Sequence, residues 1–165
     1  EARIMASRAV IKDFFGSLKG ELVDALTNGG PVNAIGVCNT QAPAIADAHS
    51  KAKGWGIART SLKLRNQANA PDEWETPVLN DFEARKAKGE DTSKMEFAEV
   101  VETGGKKEFR YMKAIPTDEK PCLACHGGNI SEEVAAKLDD LYPQDKARGY
   151  NAGDIRGAFT IRQPM

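Results

Sequence analysis

Two cysteines and a histidine in the C-terminal part of the chain constrain it more than any other feature. Cys122, Cys125 and His126 form the pattern Cys-x-x-Cys-His, in which two thiols bond to the vinyl groups of haem. This spacing lets one helical turn carry both thioether bonds, and it brings the adjacent histidine ring under the porphyrin. The segment therefore predicts one covalently attached haem c, with His126 as an axial ligand of its iron.

Two other interpretations of these cysteines stay open. A Cys-x-x-Cys redox pair needs the strand-to-helix context of a thioredoxin-like fold, which this sequence does not show. A zinc site would combine Cys38, Cys122 and Cys125 with His49 or His126. Structural zinc usually brings a second paired-ligand motif, and the sequence has none. Haem is therefore favoured over zinc.

The composition limits the number of domains and the classes of partner. A chain of 165 residues with 41% hydrophobic residues suffices for one core, so we expect a single domain over residues 1–165, with an N-terminal helix over 1–30 and a haem-binding core over 31–163. The 23 basic residues nearly balance the 24 acidic ones, which gives no charge surplus for binding nucleic acid. No apolar run is long enough to span a membrane.

The expected location follows from the haem interpretation. Attachment of this type takes place outside the cytoplasm, so we expect a periplasmic or otherwise exported protein. The charged start Glu1-Ala2-Arg3 does not resemble a secretory signal. We therefore expect that an export signal has been removed from this chain.

The first predicted element is a long helix. Apolar residues recur at spacings of three, four or seven between Ile4 and Leu26, which places them on one helix face. The turn Asn28-Gly29-Gly30-Pro31 ends this helix and begins another. The apolar face is expected to pack on the core, although it would also suit a homodimer contact.

The second predicted helix carries the remaining cysteine. Apolar residues from Val32 onward keep helical spacing to about Lys53, and Cys38 lies on their inward face. Pro43 lacks an N–H for the preceding turn, so we expect a kink just beyond Cys38.

The later part of the chain has the pattern of strands and short helices. Gly104-Gly105 supplies the positive φ angles of a tight hairpin between strands Phe97–Thr103 and Lys106–Ile115. Helices first and strands later, without βαβ alternation, predict an α+β fold with helices on an antiparallel sheet. The other predicted elements are strands Ile57–Arg65 and Ile155–Arg162, and helices Val78–Lys88 and Ser131–Leu141.

The second axial ligand is not decided by these patterns. Haem iron is commonly held by a second side chain, usually His or Met, and this choice sets its potential and its access to gases. Cys38, His49 and Met112 are candidates, and an open site is an alternative. Each candidate also has an ordinary structural explanation, as a buried thiol, a helix-end histidine or a core methionine.

Several motifs together resemble one family. They are Val37-Cys38-Asn39 within the run from Gly36 to Pro43, the run from Arg59 to Asn66, Cys122 to Gly128, Tyr142-Pro143, and the run from Gly149 to Gly157. Over roughly residues 32–163 the chain is similar to exported c-type haem domains with a PAS-like fold, which occur as single-domain cytochromes and as sensor input modules. The resemblance implies a PAS-like sheet, His/Cys iron ligation, and Cys38 as the distal ligand.

Other polar and aromatic residues are candidates for contacts with the haem. Arg59, Lys63 and Arg65 alternate along the predicted strand, so one face could offer all three to the haem propionates. A solvated sheet face is the alternative. Trp55 and Trp74 would suit either a pocket wall or ordinary core packing. The sequence assigns structural roles to its other charged candidates, Asp145, Arg148 and Asp154.

These observations predict a protein of electron transfer or redox sensing and not an enzyme. A thiolate ligand favours ferric iron, so His126 and Cys38 predict a low potential. A sensor in which CO or NO displaces Cys38 is the alternative, and a small peroxidase, which needs an open distal site, is a weaker one. The sequence does not identify the redox partner.

Overall fold

A computed structural model describes residues 1–118 and 122–165. The elements within these residues are helices α1 (Ala2–Lys53), α2 (Glu75–Ala87), α3 (Leu123–His126) and α4 (Glu132–Leu141), and strands β1 (Gly56–Thr60), β2 (Glu96–Thr103), β3 (Lys106–Pro116) and β4 (Ile155–Pro164). The strands form an antiparallel sheet in the order β1-β4-β3-β2. This architecture confirms the predicted α+β class with an antiparallel sheet and N-terminal helical packing.

The long helix α1 is interrupted once. At Gly30 the backbone leaves helical geometry (φ 72°, ψ −172°), a conformation that glycine tolerates and that Pro31 follows as the first residue of a new helical segment. The break confirms the predicted boundary and separates an N-terminal half, residues 2–29, from a C-terminal half, residues 31–53. The dihedral angles at Pro43 stay helical, so the kink expected there stays a prediction.

Two layers of helix cover the two faces of the sheet. Side chains of β3 alternate, so that Phe109 and Tyr111 face a core shared with α1, whereas Met112 faces a core shared with α2. A third and smaller cluster joins Ile35 of α1 to α4. Helix α1 therefore packs on the sheet through one cluster and on α4 through another.

The hairpin and the last helix match their predictions. Gly104 (φ 59°) and Gly105 (φ 78°) connect β2 to β3 with positive φ angles, as the sequence predicts. Ser131 caps α4 by accepting a hydrogen bond from the Val134 N–H at 3.3 Å. Helix α2 begins at Glu75, earlier than predicted, because the Asp72 carboxylate accepts hydrogen bonds from its first N–H groups.

The first strand is shorter than the sequence predicts. β1 ends at Thr60, and residues 61–65 form a loop instead of the predicted strand. The Ser61 hydroxyl donates to the Arg156 carbonyl at 2.7 Å and accepts from the Lys63 N–H at 3.2 Å. This local turn competes with strand pairing and directs the chain away from the sheet. The prediction that Arg59, Lys63 and Arg65 share a strand face is therefore wrong.

Candidate functional site

One cavity brings together residues from distant parts of the sequence. It has a volume of about 330 Å³, within the range of small-molecule pockets. Both halves of α1, the end of β1, α3 and the start of β4 contribute to its walls. The charged, thiol and imidazole side chains along it are those of Lys19, Cys38, Arg59, Arg65, Asp118, Cys122, Cys125, His126 and Arg156.

The Cys122–His126 segment forms a single helical turn, as its spacing predicts. The His126 N–H donates to the Cys122 carbonyl at 2.9 Å, so both residues lie on one turn of α3. A Cβ at Gly127 would stand 2.5 Å from the Leu123 carbonyl oxygen, so a residue without a side chain directly follows His126. The Tyr150 N–H then donates to the His126 carbonyl at 2.8 Å, which fastens the end of α3 to the loop before β4.

The ring of His126 is oriented by a backbone carbonyl. Its Nδ1 lies 2.9 Å from the Ala147 oxygen, an arrangement in which Nδ1–H donates and the lone pair is on Nε2. Burial lowers the pKa of His126 well below its usual range, and the charges of Arg156 and Arg65 lower it further. The imidazole is therefore neutral near pH 7, which is the form that binds metals.

Cys38 lines the cavity from the C-terminal half of α1. Burial raises the pKa of its thiol, while the positive charge of Arg59 opposes that rise and the thiol of Cys125 adds to it. Cys38 of α1 and the Cys122–His126 segment thus line the same cavity, whereas the iron ligation that the resemblance implies for Cys38 stays a prediction. Two of the predicted propionate contacts, Arg59 at the end of β1 and Arg65 in the loop after it, line the cavity.

Arg156 faces His126 Nε2, and the sequence did not single it out as a site residue. Its Nε stands 3.5 Å from His126 Nε2, a long and weak contact, and its Nη1 donates to Ser61 Oγ at 3.2 Å and the Lys63 carbonyl at 3.3 Å. Burial lowers the pKa of Arg156 to about 10. Arg156 lies in the predicted strand that begins at Ile155, but no signal in the sequence indicated that its side chain would meet His126 of α3.

Lys63 and Arg65 do not lie on a strand face, and each binds groups in later parts of the chain. The Lys63 ammonium donates to the Arg148 carbonyl at 2.8 Å and lies 4.6 Å from the Tyr150 ring centroid. Arg65 lines the cavity, but its guanidinium donates to the Cys125 carbonyl at 2.6 Å and pairs with Asp145 at 3.1 Å. These contacts show that the two side chains do not share a strand face, whereas their contact with propionates stays a prediction.

The other pocket candidates lie elsewhere in the structure. Trp55 packs against the core under α1, and Trp74 packs against the core under α2 and donates to Glu99 at 2.8 Å. His49 contacts Phe14 edge to face at 5.7 Å, and Met112 is fully buried beneath α2. None of these four lines the cavity, because core packing accounts for each of them.

Two further observations concern metals and membranes. Within residues 1–118 and 122–165, no three His, Cys, Asp or Glu side chains are placed to share a metal ion. The Cys₃His zinc set that the sequence left open is therefore not assembled.

The described helices also include none with the length and apolar character that crossing a membrane requires.

The charged residues of the loop before β4 form ion pairs. Asp145 pairs with Arg65 and, at 2.8 Å, with Arg148, while Asp154 pairs with Lys86 at 2.7 Å. Their side chains thereby join this loop to the segment after β1 and to α2. The structural roles predicted for Asp145, Arg148 and Asp154 agree with these contacts.

Comparisons with known proteins give a family and a fold. No curated protein matches the sequence significantly. A solved structure, described as that of the cyanobacterial heme-protein Tll0287, superimposes with a TM-score of 0.74 at 23% identity, covering 100% of this chain and 96% of the other. The model of the Tll0287-like family matches residues 2–164. The chain therefore belongs to the Tll0287-like family.

Proposed function

We propose that this chain is an exported single-haem c-type protein with a PAS-like fold, attached to haem through Cys122 and Cys125. Its axial ligands are His126 and Cys38. One observation carries the proposal: Cys38 of α1 and the Cys122–His126 segment, far apart in sequence, line the same cavity. A structural relative described as a heme-protein supports it.

The donor set of the cavity fits haem c. Two thiols and a neutral histidine lie on one helical turn, as attachment and proximal ligation require. The third thiol, Cys38, comes from a different wall. His126 Nδ1 is engaged by Ala147, so that Nε2 remains for iron once the weak contact with Arg156 is exchanged.

The charges of the cavity also fit. Arg59 and Arg156 line it, and neither forms an ion pair with a carboxylate within the described residues. Burial lowers the pKa of Arg59 and of Arg156, which shows that the cavity wall opposes their charge. Two carboxylates of haem propionates would neutralise these guanidinium groups through charge-assisted hydrogen bonds.

The proposed activity is low-potential electron transfer or redox sensing. Bound haem would supply one-electron chemistry between ferric and ferrous iron. The chain provides a thiolate at Cys38, which favours the ferric state, and a cavity wall of apolar side chains such as Leu22 and Leu26, which limits access of water. We propose no catalysed reaction for this site.

A sensor input domain is the second candidate, and the position of Cys38 favours it. The thiol lies on the C-terminal half of α1, whereas the N-terminal half, across the break at Gly30, lines the same cavity with Phe15 and Leu18. A gas ligand such as CO that replaced Cys38 would release one half of α1 from the site. A movement of helix α1 would then signal that the gas ligand has replaced Cys38.

The decisive experiment compares Cys38→Ser with the wild-type protein, both expressed in the periplasm with haem-attachment machinery. We expect haem that survives denaturing electrophoresis in both proteins. The Ser variant should have an altered ferric optical and EPR spectrum and a higher midpoint potential, because a charge-donating ligand is lost. Ala42→Ser is the matched control, since it adds a hydroxyl to the same helix and cavity without removing the thiol.

Each part of the proposal has its own contrary result. A wild-type protein without a Soret band contradicts haem attachment. A Cys38→Ser spectrum identical to that of the wild type contradicts ligation by Cys38. Binding of CO by the reduced wild-type protein supports the sensor, whereas its absence supports the electron carrier.

A further inference from the structure

We propose that Asp145 and Arg65 are a positioning pair that fixes the orientation and electron donation of His126. The proposal rests on the proposed role of His126 as an iron ligand. The pair binds Ala147, whose carbonyl faces the imidazole, while its two charges shift the pKa of His126 in opposite directions. Its positioning effect is therefore indirect.

The pair binds the backbone of Ala147 at two points, its N–H and its carbonyl. The Asp145 carboxylate accepts a hydrogen bond from the Ala147 N–H at 2.9 Å, and Arg65 Nη2 donates to the Ala147 carbonyl at 3.0 Å. The same carbonyl lies 2.9 Å from His126 Nδ1. These two bonds hold the peptide units on both sides of the Ala147 Cα, so the carbonyl that faces His126 keeps one direction.

Arg65 also binds the Cys122–His126 segment directly. Its Nη2 donates to the Cys125 carbonyl at 2.6 Å, one residue before the histidine. The guanidinium thus connects the Ala147 carbonyl, the Asp145 carboxylate and the end of α3. Because the three contacts use one planar group, they fix the distance between α3 and the loop that carries Ala147.

The pair is shielded from water. The side chain of Asp145 is 1% exposed and that of Arg65 is 11% exposed. Burial alone would raise the pKa of Asp145, but hydrogen bonds from Arg65, Arg148 and the Ala147 N–H hold it below its ordinary value. Asp145 is therefore a carboxylate near pH 7, and its charge keeps Arg65 in place.

The consequence for His126 follows from hydrogen-bond chemistry. A firm acceptor at Nδ1–H selects the tautomer with a free lone pair on Nε2 and makes the imidazole a stronger donor to a metal. A stronger donor stabilises ferric iron. Loosening the Ala147 carbonyl should therefore raise the midpoint potential.

The test uses the haem-loaded protein and three variants. Asp145→Asn keeps an oxygen acceptor for Ala147 but removes the charge, and Arg65→Lys keeps the charge but cannot make the three contacts together. Asp154→Asn is the control, because it disrupts the Lys86–Asp154 ion pair, which has no contact with His126. The measurements are the midpoint potential and the solvent exchange rate of the His126 Nδ1 proton in the reduced protein by NMR.

We expect both Asp145→Asn and Arg65→Lys to raise the potential and to speed exchange of the Nδ1 proton by tenfold or more, with Asp154→Asn unchanged in both. If the two variants lose stability but match the wild type in potential and proton exchange, the pair is merely structural and the inference is wrong. A wild-type chain that carries no haem would contradict the proposed function instead. Nitrogen-15 NMR of the His126 tautomer in that chain would still test the pair.

Discussion

Two regions of this molecule bury arginine side chains, and they differ in whether carboxylates neutralise the buried charge. On the α2 face of the sheet, Arg110 is 6% exposed and meets Asp72 at 3.0 Å and Glu75 at 3.5 Å. Its guanidinium also lies 4.5 Å from the ring centroid of Trp74. In the cavity, Arg156 meets a hydroxyl, a carbonyl and an imidazole, with no carboxylate partner among the described residues.

The difference distinguishes a structural charge from a charge available to a ligand. The Arg110 cluster is neutralised within the fold, so its groups are committed to holding α2 and the Asp72 loop on the sheet. Burial lowers the pKa of Arg156 and of Arg59, and neighbouring groups such as Asp145 and Cys38 compensate these charges only in part. Such a charge is stabilised when an anion arrives, which suits the dicarboxylate cofactor that we propose for this cavity.

The largest effect expected from this comparison is on folding. Arg110→Ala should lower the free energy of unfolding by about 3–5 kcal/mol, because it leaves buried acidic groups without their partner. Arg162→Ala should cost less than about 1 kcal/mol, because its side chain is 47% exposed although it pairs with the same Asp72. Urea denaturation of both variants measures the difference. Equal losses would contradict the assignment of Arg110 as the structural centre.

The next effect is on haem binding. Arg156→Met should leave the free energy of unfolding of the unloaded chain within about 1 kcal/mol, because an uncompensated buried charge is replaced by an apolar side chain. In a background with Cys122→Ser and Cys125→Ser, the same change should weaken haem binding about tenfold, as expected for one lost charge-assisted contact. Haem titration gives the affinity. A destabilisation as large as that of Arg110→Ala would remove the distinction between the two regions.

The smallest effect concerns a partly exposed ion pair that fastens α1 to the sheet. A hydrogen bond from Arg8, and a second from Tyr111, lower the pKa of Glu96 from its ordinary 4.5 to about 2. A carboxylate whose pKa is lower in the folded state stabilises the fold above pH 4.5, and this contribution disappears as the pH falls toward 2. Because the Arg8 side chain is 49% exposed, solvent screening limits it to about 1 kcal/mol.

Glu96→Gln tests this contribution. The variant should show a shallower loss of stability between pH 4.5 and pH 2 than the wild type, and a loss of no more than about 1 kcal/mol at pH 7. Chemical denaturation at several pH values measures both. An unchanged slope across that range would show that Glu96 is not bound by Arg8 in solution.

Elements governed by local chemistry were predictable from the sequence. The hairpin at Gly104-Gly105, the break at Gly30 and the cap of Ser131 each depend on a few adjacent residues whose conformational preferences are strong. The Cys122–His126 turn belongs to this group as well, because it is closed by a hydrogen bond between residues four positions apart.

Predictions failed where distant segments compete for the same backbone. Residues 61–65 have a strand-like pattern, but Ser61 bonds to Arg156 of β4 and turns the chain away. The alternation argument for Lys63 and Arg65 failed with it, and both side chains bind backbone carbonyls of other segments. No local pattern contains these partners, since they come from the last third of the chain.

The sequence by itself determined the chemistry of one helical turn: two thiols and a histidine at a fixed spacing, followed by a glycine. Only the tertiary structure decided what surrounds that turn. It placed Cys38 and Arg59 along the same cavity, brought Arg156 to His126, and bound Arg65 to the Cys125 carbonyl. The physical reason is range: covalent spacing and backbone preference act over a few residues, whereas burial and charge compensation depend on which distant segments pack together.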